Sequence, residues 1–262
     1  LPAGTLLTFK PELTSYIDAM LKPGVRHDVS SIGLRENIGG PVEIWEAPKE
    51  GIYYDLGIDV ASGGVDSVGR MRSDLDWTVI EVIRRDTLAQ VAEMRLHIDP
   101  SSSDFLDMVY WLGRAYNSGQ MVPDITGGWG HALLNDLQRR NYPNIWQWRR
   151  RDDSKEKVSS RLGFYYTKRD KTWLVHNAVK TVQRDKPLIR SATLLSEMRA
   201  FLTLALDEWG AAPGKFDDSI NAYMLALLGA TDERPREFIP LPDDPIPPSE
   251  SRPWAVHDVD ED

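Results

Sequence analysis

The stretch Ile52-Tyr-Tyr-Asp-Leu-Gly-Ile-Asp-Val60 decides the fold of this chain. Its apolar and β-branched residues predict a buried strand, and the Ala-Ser-Gly-Gly that follows predicts a tight loop. Because side chains alternate between the two faces of a sheet, Asp59 shares its face with Asp55 and Gly57, and the small Gly57 leaves room there. A buried carboxylate costs several kcal/mol unless a positive group pairs with it. Asp59 is therefore either a solvated acid that begins the turn or a ligand for a cation.

The elements around this strand predict an α/β domain. Further strands are expected at Trp77–Arg84, Leu88–Ile98, Met121–Asp124 and Ile145–Trp148. Helices are expected, from apolar residues at helical spacing, at Ser101–Asn117, His131–Arg140, Thr172–Gln183, Ala192–Leu206 and Asp217–Leu228. Three strands followed by alternating helices and strands predict a mixed central sheet with helices on its faces.

The predicted domain spans residues 49–230 and has an extension at each end. Residues 1–48 combine a short amphipathic stretch with a polar connector, which is typical of a lead-in or interdomain connector. Residues 231–262 hold seven prolines, and ten acids against three arginines. Such a composition cannot assemble a core and predicts a disordered tail. The charged, poorly periodic residues 149–171 predict a loop or hairpin insertion.

The composition of the 262 residues excludes several function classes. The chain has no cysteine, which rules out disulfides, thiolate zinc sites and a cysteine nucleophile, and leaves carboxylates and five histidines as candidate ligands. Any bound metal should therefore be a hard one. No apolar run approaches the ~20 residues of a membrane span, so no membrane contact is expected. The start of the chain has none of the features of a signal peptide, so the protein is not expected to be secreted.

The formal net charge of −9 is unevenly distributed along the chain. Residues 139–171 hold eleven lysines and arginines against four acids. Lysine and arginine neutralise phosphates whatever the base sequence, so this segment favours contact with double-stranded DNA over the alternative of a solvated hairpin. The residues expected to contact DNA are Arg149, Arg150, Arg151, Lys155, Lys157, Arg161, Lys168 and Arg169.

Three more acids stand in positions like that of Asp59. Asp124 ends the short strand Met121-Val-Pro and opens into Ile-Thr-Gly-Gly, while Asp217 and Asp218 stand at the start of the last predicted helix. The carboxyl ends of strands are where an open α/β sheet places its site. Helical azimuth directs Asp217 more nearly towards the sheet than Asp218, although either residue is also a common helix N-cap.

A convergence of these acids predicts a particular chemistry. Carboxylates that meet without basic partners repel one another, and divalent cations with oxygen ligands relieve the repulsion. Two-metal phosphodiester cleavage uses such a cluster, with ions ~3.5–4 Å apart that activate water and stabilise the leaving oxygen. A convergence of Asp59, Asp124, Asp217 and Asp218 would therefore suit two divalent cations and a catalytic role, whereas acids that lie apart would only cap helices or begin turns.

A series of short motifs resembles the nuclease domain of phage terminase large subunits. It begins with Ile44-Trp-Glu-Ala-Pro48 and the stretch from Gly51 to Gly63. In the order that the family shows, it continues with Asp76-Trp-Thr-Val-Ile80, Gln90-Val-Ala92, Asp124-Ile-Thr-Gly-Gly-Trp-Gly130, Leu162-Gly-Phe164, Glu197-Met-Arg-Ala-Phe201 and Gly214-Lys-Phe-Asp217-Asp218. The match covers roughly Val42–Ala230. Many relatives have histidine where this chain has Phe216, so no histidine ligand is expected there.

The resemblance implies an RNase H-like fold and an endonuclease that cuts concatemeric viral DNA with Mg²⁺ or Mn²⁺ and with little sequence specificity. In that family Asp59 is the first-strand acid, Asp124 is the second-strand acid, and Asp217 and Asp218 are the helix-start acids. The chain shows no phosphate-binding loop ending in Gly-Lys-Ser/Thr, so the ATPase domain of the same polypeptide is expected N-terminal to it. The portal protein and the small terminase subunit are expected partners, in the host cytoplasm during virus assembly.

Two other interpretations stay open at this point. A resolvase or transposase of the RNase H-like class shares the acid cluster but prefers branched DNA or transposon ends. A DNA-clamping or portal-binding module uses the acids only to cap and solvate, and binds no metal. The loop from Ser62 to Leu75 is longer than is usual in the family, so the alignment of Asp66, Asp74 and Asp76 with the family is also left open.

Overall fold

The computed structural model describes residues 6–18, 20–61, 77–150, 159–205 and 208–231. Its strands are β1 Leu6–Leu7, β2 Val25–Ser30, β3 Gly33–Glu36, β4 Val42–Ile44, β5 Tyr54–Asp59, β6 Thr78–Arg84, β7 Gln90–Leu96, β8 Gln120–Pro123, β9 Gln147–Arg150, β10 Ser159–Leu162, β11 Phe201–Ala205 and β12 Glu208–Ala211. Its helices are α1 Pro11–Asp18, α2 Ser103–Ala115, α3 Gly130–Arg139, α4 Lys168–Asp185, α5 Ala192–Ala200 and α6 Asp218–Ala230, with a 3-10 turn at Thr126–Gly128.

Seven of these strands form one mixed sheet in the order β3-β2-β4-β7-β6-β5-β8. The pair β5–β8 is parallel, and the other five neighbouring pairs in this sheet are antiparallel. Strand β5 is therefore the second strand from one edge of the sheet, with β6 on one side and the edge strand β8 on the other. The predicted mixed sheet flanked by helices is confirmed.

The two faces of β5 carry different residues, as the period of two predicts. Leu56 and Ile58 are fully buried in a core that also contains Phe105 and Leu112 of α2. Helix α2 begins after Ser102, whose side chain accepts a hydrogen bond from the backbone N–H of Phe105. The opposite face of β5 is covered by α6, which packs with α4 and α5 in a second core.

Two small sheets extend the fold. Strands β9 and β10 form an antiparallel hairpin, which is one of the two forms predicted for the basic insertion, although that segment ends in a helix from Lys168 on. Strands β1, β11 and β12 form a three-stranded sheet. The helix predicted across residues 192–206 is therefore wrong beyond Ala200, because the chain turns extended at Phe201 and pairs with β1 and β12.

The boundary predicted at residue 48 needs correction. Strand β4 pairs with β7, with Ile44 opposite Ala92, and β2 pairs with β4. Residues 25–44 therefore extend the central sheet and are not only a connector to it. The predicted tail lies outside the described residues apart from its first residue, as does the loop from Ser62 to Leu75. No helix within the described ranges has the length and apolar character needed to cross a membrane.

Candidate metal centre

Asp59 and Asp124 lie side by side at the carboxyl ends of two parallel strands. Strands β5 and β8 pair with Ile58 opposite Pro123, and the backbone N–H of Asp124 donates to the carbonyl of Ile58 over 2.8 Å. Gly130 keeps the next turn close, because a Cβ at that position would lie 1.8 Å from the carbonyl oxygen of Asp124. The sheet itself therefore brings together the two strand-end acids that the sequence singled out.

Helix α6 can approach this edge of the sheet closely because Gly57, the β5 residue that faces the helix, has no side chain. A Cβ on Gly57 would lie 1.9 Å from the carbonyl oxygen of Ala222 and 2.3 Å from the backbone nitrogen of Ala226. No side chain fits there, so α6 packs directly on the backbone of β5. This close approach brings the first turn of α6, with Asp217 and Asp218, to the end of the strand that carries Asp59.

The start of α6 is capped by a carboxylate from another helix. The side chain of Glu197 on α5 accepts hydrogen bonds from the backbone N–H groups of Ser219, at 2.7 Å, and Ile220, at 3.2 Å. Its other oxygen binds Arg95 at 2.7 Å. Asp217 occupies the N-cap position but its side chain makes no capping hydrogen bond. Glu197 thus takes over the capping task and leaves the carboxylate of Asp217 for other contacts.

The two helix-start acids differ in burial. Asp218 is 5% exposed, and its Oδ2 accepts a hydrogen bond of 3.0 Å from the backbone N–H of Trp77. The Asp217 side chain is 26% exposed and lies 3.9 Å from the Lys171 ammonium group. Helical azimuth predicts that Asp217 points more nearly towards the sheet, whereas Asp218 is the more buried of the two; which of them is the principal ligand stays a prediction. The azimuth was taken along an ideal helix, whereas Asp217 precedes the first helical residue and has non-helical backbone angles.

The four aspartates act on one another electrostatically. Burial raises the pKa of Asp59 well above its ordinary value, and the charges of Asp124, Asp218 and Asp217 raise it further, in that order. A hydrogen bond from the Asn221 side chain opposes the rise. Within the described residues, no Lys or Arg forms an ion pair with Asp59. A half-buried carboxylate facing three others is a group that a divalent cation would stabilise.

Asp124 is better compensated than Asp59. Burial raises the pKa of Asp124, while hydrogen bonds from Thr126 and the charge of Lys171 lower it. The backbone N–H of Thr126 donates to Asp124 Oδ1 over 2.7 Å and so fixes the carboxylate at the start of the loop. Lys171, on α4, is thus a positive charge that faces both Asp124 and Asp217.

The donor set fits a hard divalent cation. All four acids offer carboxylate oxygens, the ligand type that Mg²⁺ and Mn²⁺ prefer. In the part of the chain that the structure describes, no three acid or histidine side chains converge closely enough to hold an ion by themselves. Mg²⁺ is typically held by one or two carboxylates, with water and phosphate oxygens as the remaining ligands. The arrangement therefore suits ions that bind together with a phosphate.

Several residues at the site escaped the sequence analysis. Asn221 lies one turn after Asp217, and that spacing was a usable signal because residues four apart share a helix face. Lys171 was counted among the basic residues, and nothing local distinguishes it from Lys168. The roles of Glu197 and Arg95 depend on contacts between distant segments, so no local pattern shows them.

The residues predicted to contact DNA lie around the β9–β10 hairpin and the start of α4. Arg149 and Arg150 are in β9, paired by their backbones with Ser160 and Ser159. The other members of the set form two groups: Arg161, Lys168 and Arg169 are exposed, whereas Arg151, Lys155 and Lys157 lie outside the described residues.

Backbone hydrogen bonds attach the β9–β10 hairpin to β8 and to the residue after Asp124. The backbone N–H of Phe164, just after β10, donates to the carbonyl of Pro123 over 2.8 Å, and Ile125 N–H donates to the carbonyl of Phe164 over 2.8 Å. At the other end of the hairpin, Trp146 N–H donates to the carbonyl of Met121. The basic hairpin therefore begins and ends within a few residues of the acid cluster.

These features define a mixed α/β fold with four acids at the carboxyl end of its parallel strand pair. Solved structures of phage large terminase nucleases share this fold. The nuclease of thermophilic phage G20c with bound magnesium matches at TM-score 0.56 and 17% identity, over 82% of this chain and 95% of that one. The same nuclease with bound cobalt matches at TM-score 0.56 and 17% identity, again over 82% of this chain and 95% of that one.

A second phage gives the same result. The large terminase nuclease domain of Thermus phage P74-26 matches at TM-score 0.54 and 17% identity, over 86% of this chain and 99% of that one. No protein-family model matches the sequence, and no curated protein does. The shared feature is therefore the fold, which extends over nearly the whole length of these nuclease structures.

Proposed function

We propose that this chain is a metal-dependent DNA endonuclease whose two divalent cations, Mg²⁺ or Mn²⁺, are held by Asp59, Asp124, Asp217 and Asp218. The observation that carries the proposal is the environment of Asp59. It is a half-buried strand-end carboxylate whose pKa is raised by desolvation and by the three other acids, without an ion pair in the described residues. Structures with the same fold contain magnesium or cobalt, which supports a divalent cation here.

The four aspartates and Lys171 have different roles at the proposed site. Two bound cations would supply a nucleophilic water and stabilisation of the leaving oxygen. The sheet holds Asp59 and Asp124 in place, and the Trp77 N–H holds Asp218. Asp217, whose side chain is 26% exposed, offers its carboxylate from the first turn of α6. When no cation is bound, the positive charge of Lys171 offsets the negative charges of Asp217 and Asp124.

The substrate proposed is double-stranded DNA, bound with little sequence specificity. The basic hairpin and the start of α4 border the acid cluster, so a duplex gripped there through its phosphates would reach the aspartates. Lys168 and Arg169 are exposed at the first turn of α4, and Arg161 lies with its guanidinium 4.7 Å from the ring of Tyr165. Contacts of this kind read the backbone and not the bases.

The biological setting proposed is the packaging of a viral genome. The solved structures that share the fold are large terminase nucleases of phages, which supports a nuclease of the same type cutting concatemeric DNA. We propose that it works with an N-terminal ATPase domain, the portal protein and the small terminase subunit, in the host cytoplasm during assembly.

The direct test is cleavage of supercoiled plasmid by the purified chain. We expect nicking in Mg²⁺ or Mn²⁺, none in EDTA, and none from Asp124→Asn at any metal concentration. Asp104→Asn is the matched control, because Asp104 is an exposed acid on α2, on the opposite face of the sheet. Cleavage by Asp124→Asn at the parental rate would refute the site. Strong preference for a four-way junction over linear duplex would point instead to a resolvase.

A further inference from the structure

Tyr166 has a buried hydroxyl group at the acid cluster. Its oxygen is inaccessible to solvent and has no hydrogen-bond partner among the described residues. Buried hydroxyl groups are nearly always paired, because desolvation without a hydrogen bond costs free energy. An unpaired hydroxyl beside a proposed active site therefore points to a partner that arrives with the substrate.

The position of this tyrosine is fixed through Asp124. The backbone N–H of Tyr166 donates to the Thr126 hydroxyl over 2.7 Å, and the Thr126 N–H donates to Asp124 Oδ1 over 2.7 Å. The ring packs edge-on against Phe164, with 4.9 Å between the centroids. The hydroxyl is thus held at a set place relative to the acid and does not sample many rotamers.

Charges around the hydroxyl keep it protonated. Burial raises the pKa of Tyr166 well above its ordinary value, and the charges of Asp59, Asp124 and Asp217 raise it further. A tyrosine hydroxyl is neutral at physiological pH and can donate one hydrogen bond. The Lys171 ammonium group lies 5.9 Å from the centre of the Tyr166 ring, so a hydrogen-bond donor and a cation lie together beside Asp59, Asp124 and Asp217.

We propose that the Tyr166 hydroxyl donates a hydrogen bond to a non-bridging oxygen of the phosphate bound at the aspartates, an inference that rests on the proposed function. A phosphate oxygen is an acceptor that enters the site from outside and carries charge. A hydrogen bond to a charged acceptor is shorter and stronger than a neutral one. Tyr166 would thereby orient the phosphate for in-line attack, with Asp59 and Asp124 acting from the sheet side.

A second tyrosine provides a matched control. Tyr223, on α6, is fully buried and its hydroxyl also has no hydrogen-bond partner within the described residues. Its electrostatic neighbours are Glu81 and Tyr16, not the aspartates. Tyr166→Phe and Tyr223→Phe therefore each remove one buried, unpaired hydroxyl and differ in whether it faces the acid cluster.

Two measurements on these variants test the inference. The first is the single-turnover rate of plasmid nicking at saturating Mn²⁺, which Tyr166→Phe should lower by about ten- to a hundredfold, the effect of one hydrogen bond to a charged group. The second is calorimetric binding of thymidine 5′-monophosphate in Ca²⁺, which Tyr166→Phe should weaken by about tenfold. Both variants should match the wild type in melting temperature and in Ca²⁺ binding without nucleotide. Tyr223→Phe should also match it in nicking rate and in nucleotide affinity.

The outcomes separate the inference from the proposed function. Unchanged nucleotide affinity in Tyr166→Phe overturns the phosphate contact whatever happens to the rate, and a weakened affinity for Ca²⁺ alone overturns it in favour of a role in metal binding. An equal loss in Tyr223→Phe shows a general packing effect and also overturns it. A wild-type chain that neither nicks DNA in Mn²⁺ nor binds the nucleotide in Ca²⁺ overturns the proposed function and the inference together.

Discussion

Two groups of acids lie on the α6 face of the sheet: a group of buried glutamates, and a group of four aspartates of which three are half-buried. Their charges are compensated in different ways. In the first group, Glu197 binds Arg95 and two backbone N–H groups of α6, and Glu81 accepts a hydrogen bond of 2.7 Å from the Gln90 side chain. Glu93 lies directly opposite Glu81 on the neighbouring strand. Glu197 therefore obtains its partners from within the fold, whereas Glu81 and Glu93 each keep one carboxylate oxygen without a hydrogen-bond partner among the described residues.

The aspartates have fewer hydrogen-bond and ion-pair partners than Glu197 has. Asp59 receives one side-chain hydrogen bond, from Asn221, and faces three carboxylates. Lys171 is the cation that approaches the group, at 3.9 Å from Asp217. The comparison teaches that burial alone does not identify a site. An uncompensated acid group is suited to bind a cation from outside only where an ion can reach it. Glu81 and Glu93 are closed off in the core, whereas Asp59, Asp124 and Asp217 are partly exposed.

The largest effect should follow from removing a carboxylate of the aspartate group. Asp59→Asn should lower the rate of DNA nicking by at least about a thousandfold, because several kcal/mol of transition-state stabilisation by metal would be lost. The same change should raise the melting temperature of the metal-free protein, since it removes a half-buried charge that three acids repel. Nicking assays and differential scanning calorimetry check both parts. A fall in both activity and stability would place Asp59 with the structural glutamates.

A change in the glutamate group should show the opposite pattern. Glu197→Ala should destabilise the fold by about 3 kcal/mol, because it leaves Arg95 half-buried without its partner and uncaps α6. Urea unfolding measures this loss. Activity per folded molecule should fall less than for Asp59→Asn, since Glu197 positions α6 without contacting substrate. A variant as stable as the wild type would contradict the assignment of Glu197 as the cap.

The contact between α6 and β5 offers a third comparison. Gly57→Ala places a Cβ 1.9 Å from the Ala222 carbonyl oxygen, which forces the helix away from the strand and should cost about 1–3 kcal/mol. The shift separates Asp217 and Asp218 from Asp59, so metal affinity should fall as well. Gly51→Ala serves as a control of a different kind, because Gly51 has open space around it but a positive φ of 76°. It should lose stability without losing metal affinity.

The smallest effect concerns pH. Burial, and then the charge of Glu93, raise the pKa of Glu81 well above its ordinary value of 4.5. The folded protein keeps a proton that the unfolded chain releases, so this residue makes the fold less stable as pH rises above about 4.5. Glu81→Gln should therefore stabilise the protein slightly at pH 7.5 and have no effect near pH 4. Thermal melts across this range, with and without Mg²⁺, should show the same difference in both conditions.

The sequence predicts some parts of this fold well because the signals are local. The apolar run at β5, the helical spacing of α2 with its Ser102 cap, and the two strand-end acids all depend on residues near one another in the chain. Strand β2, Val-Arg-His-Asp-Val-Ser, has no such pattern because it is half exposed and gains its order from β3 and β4. Its place in the sheet depends on pairing, which no window of sequence shows.

The same reason explains what was missed at the site. Phe201–Ala205 is rich in residues that also favour helices, and only its pairing with β1 and β12 makes it a strand. Asp218 is buried beside Trp77, a residue distant in sequence that donates a backbone hydrogen bond to the Asp218 carboxylate. The residue types of the acid cluster follow from the sequence, whereas their burial and supports follow from tertiary contacts.

The central claim is that the aspartates, and not the glutamates, hold divalent cations. The most direct measurement is anomalous diffraction from crystals soaked in MnCl₂ with thymidine 5′-monophosphate. The account predicts two peaks ~3.5–4 Å apart, within coordination distance of Asp59, Asp124 and at least one of Asp217 and Asp218. Absence of peaks at the end of β5 and β8, or peaks beside Glu81 and Glu93 instead, would contradict it.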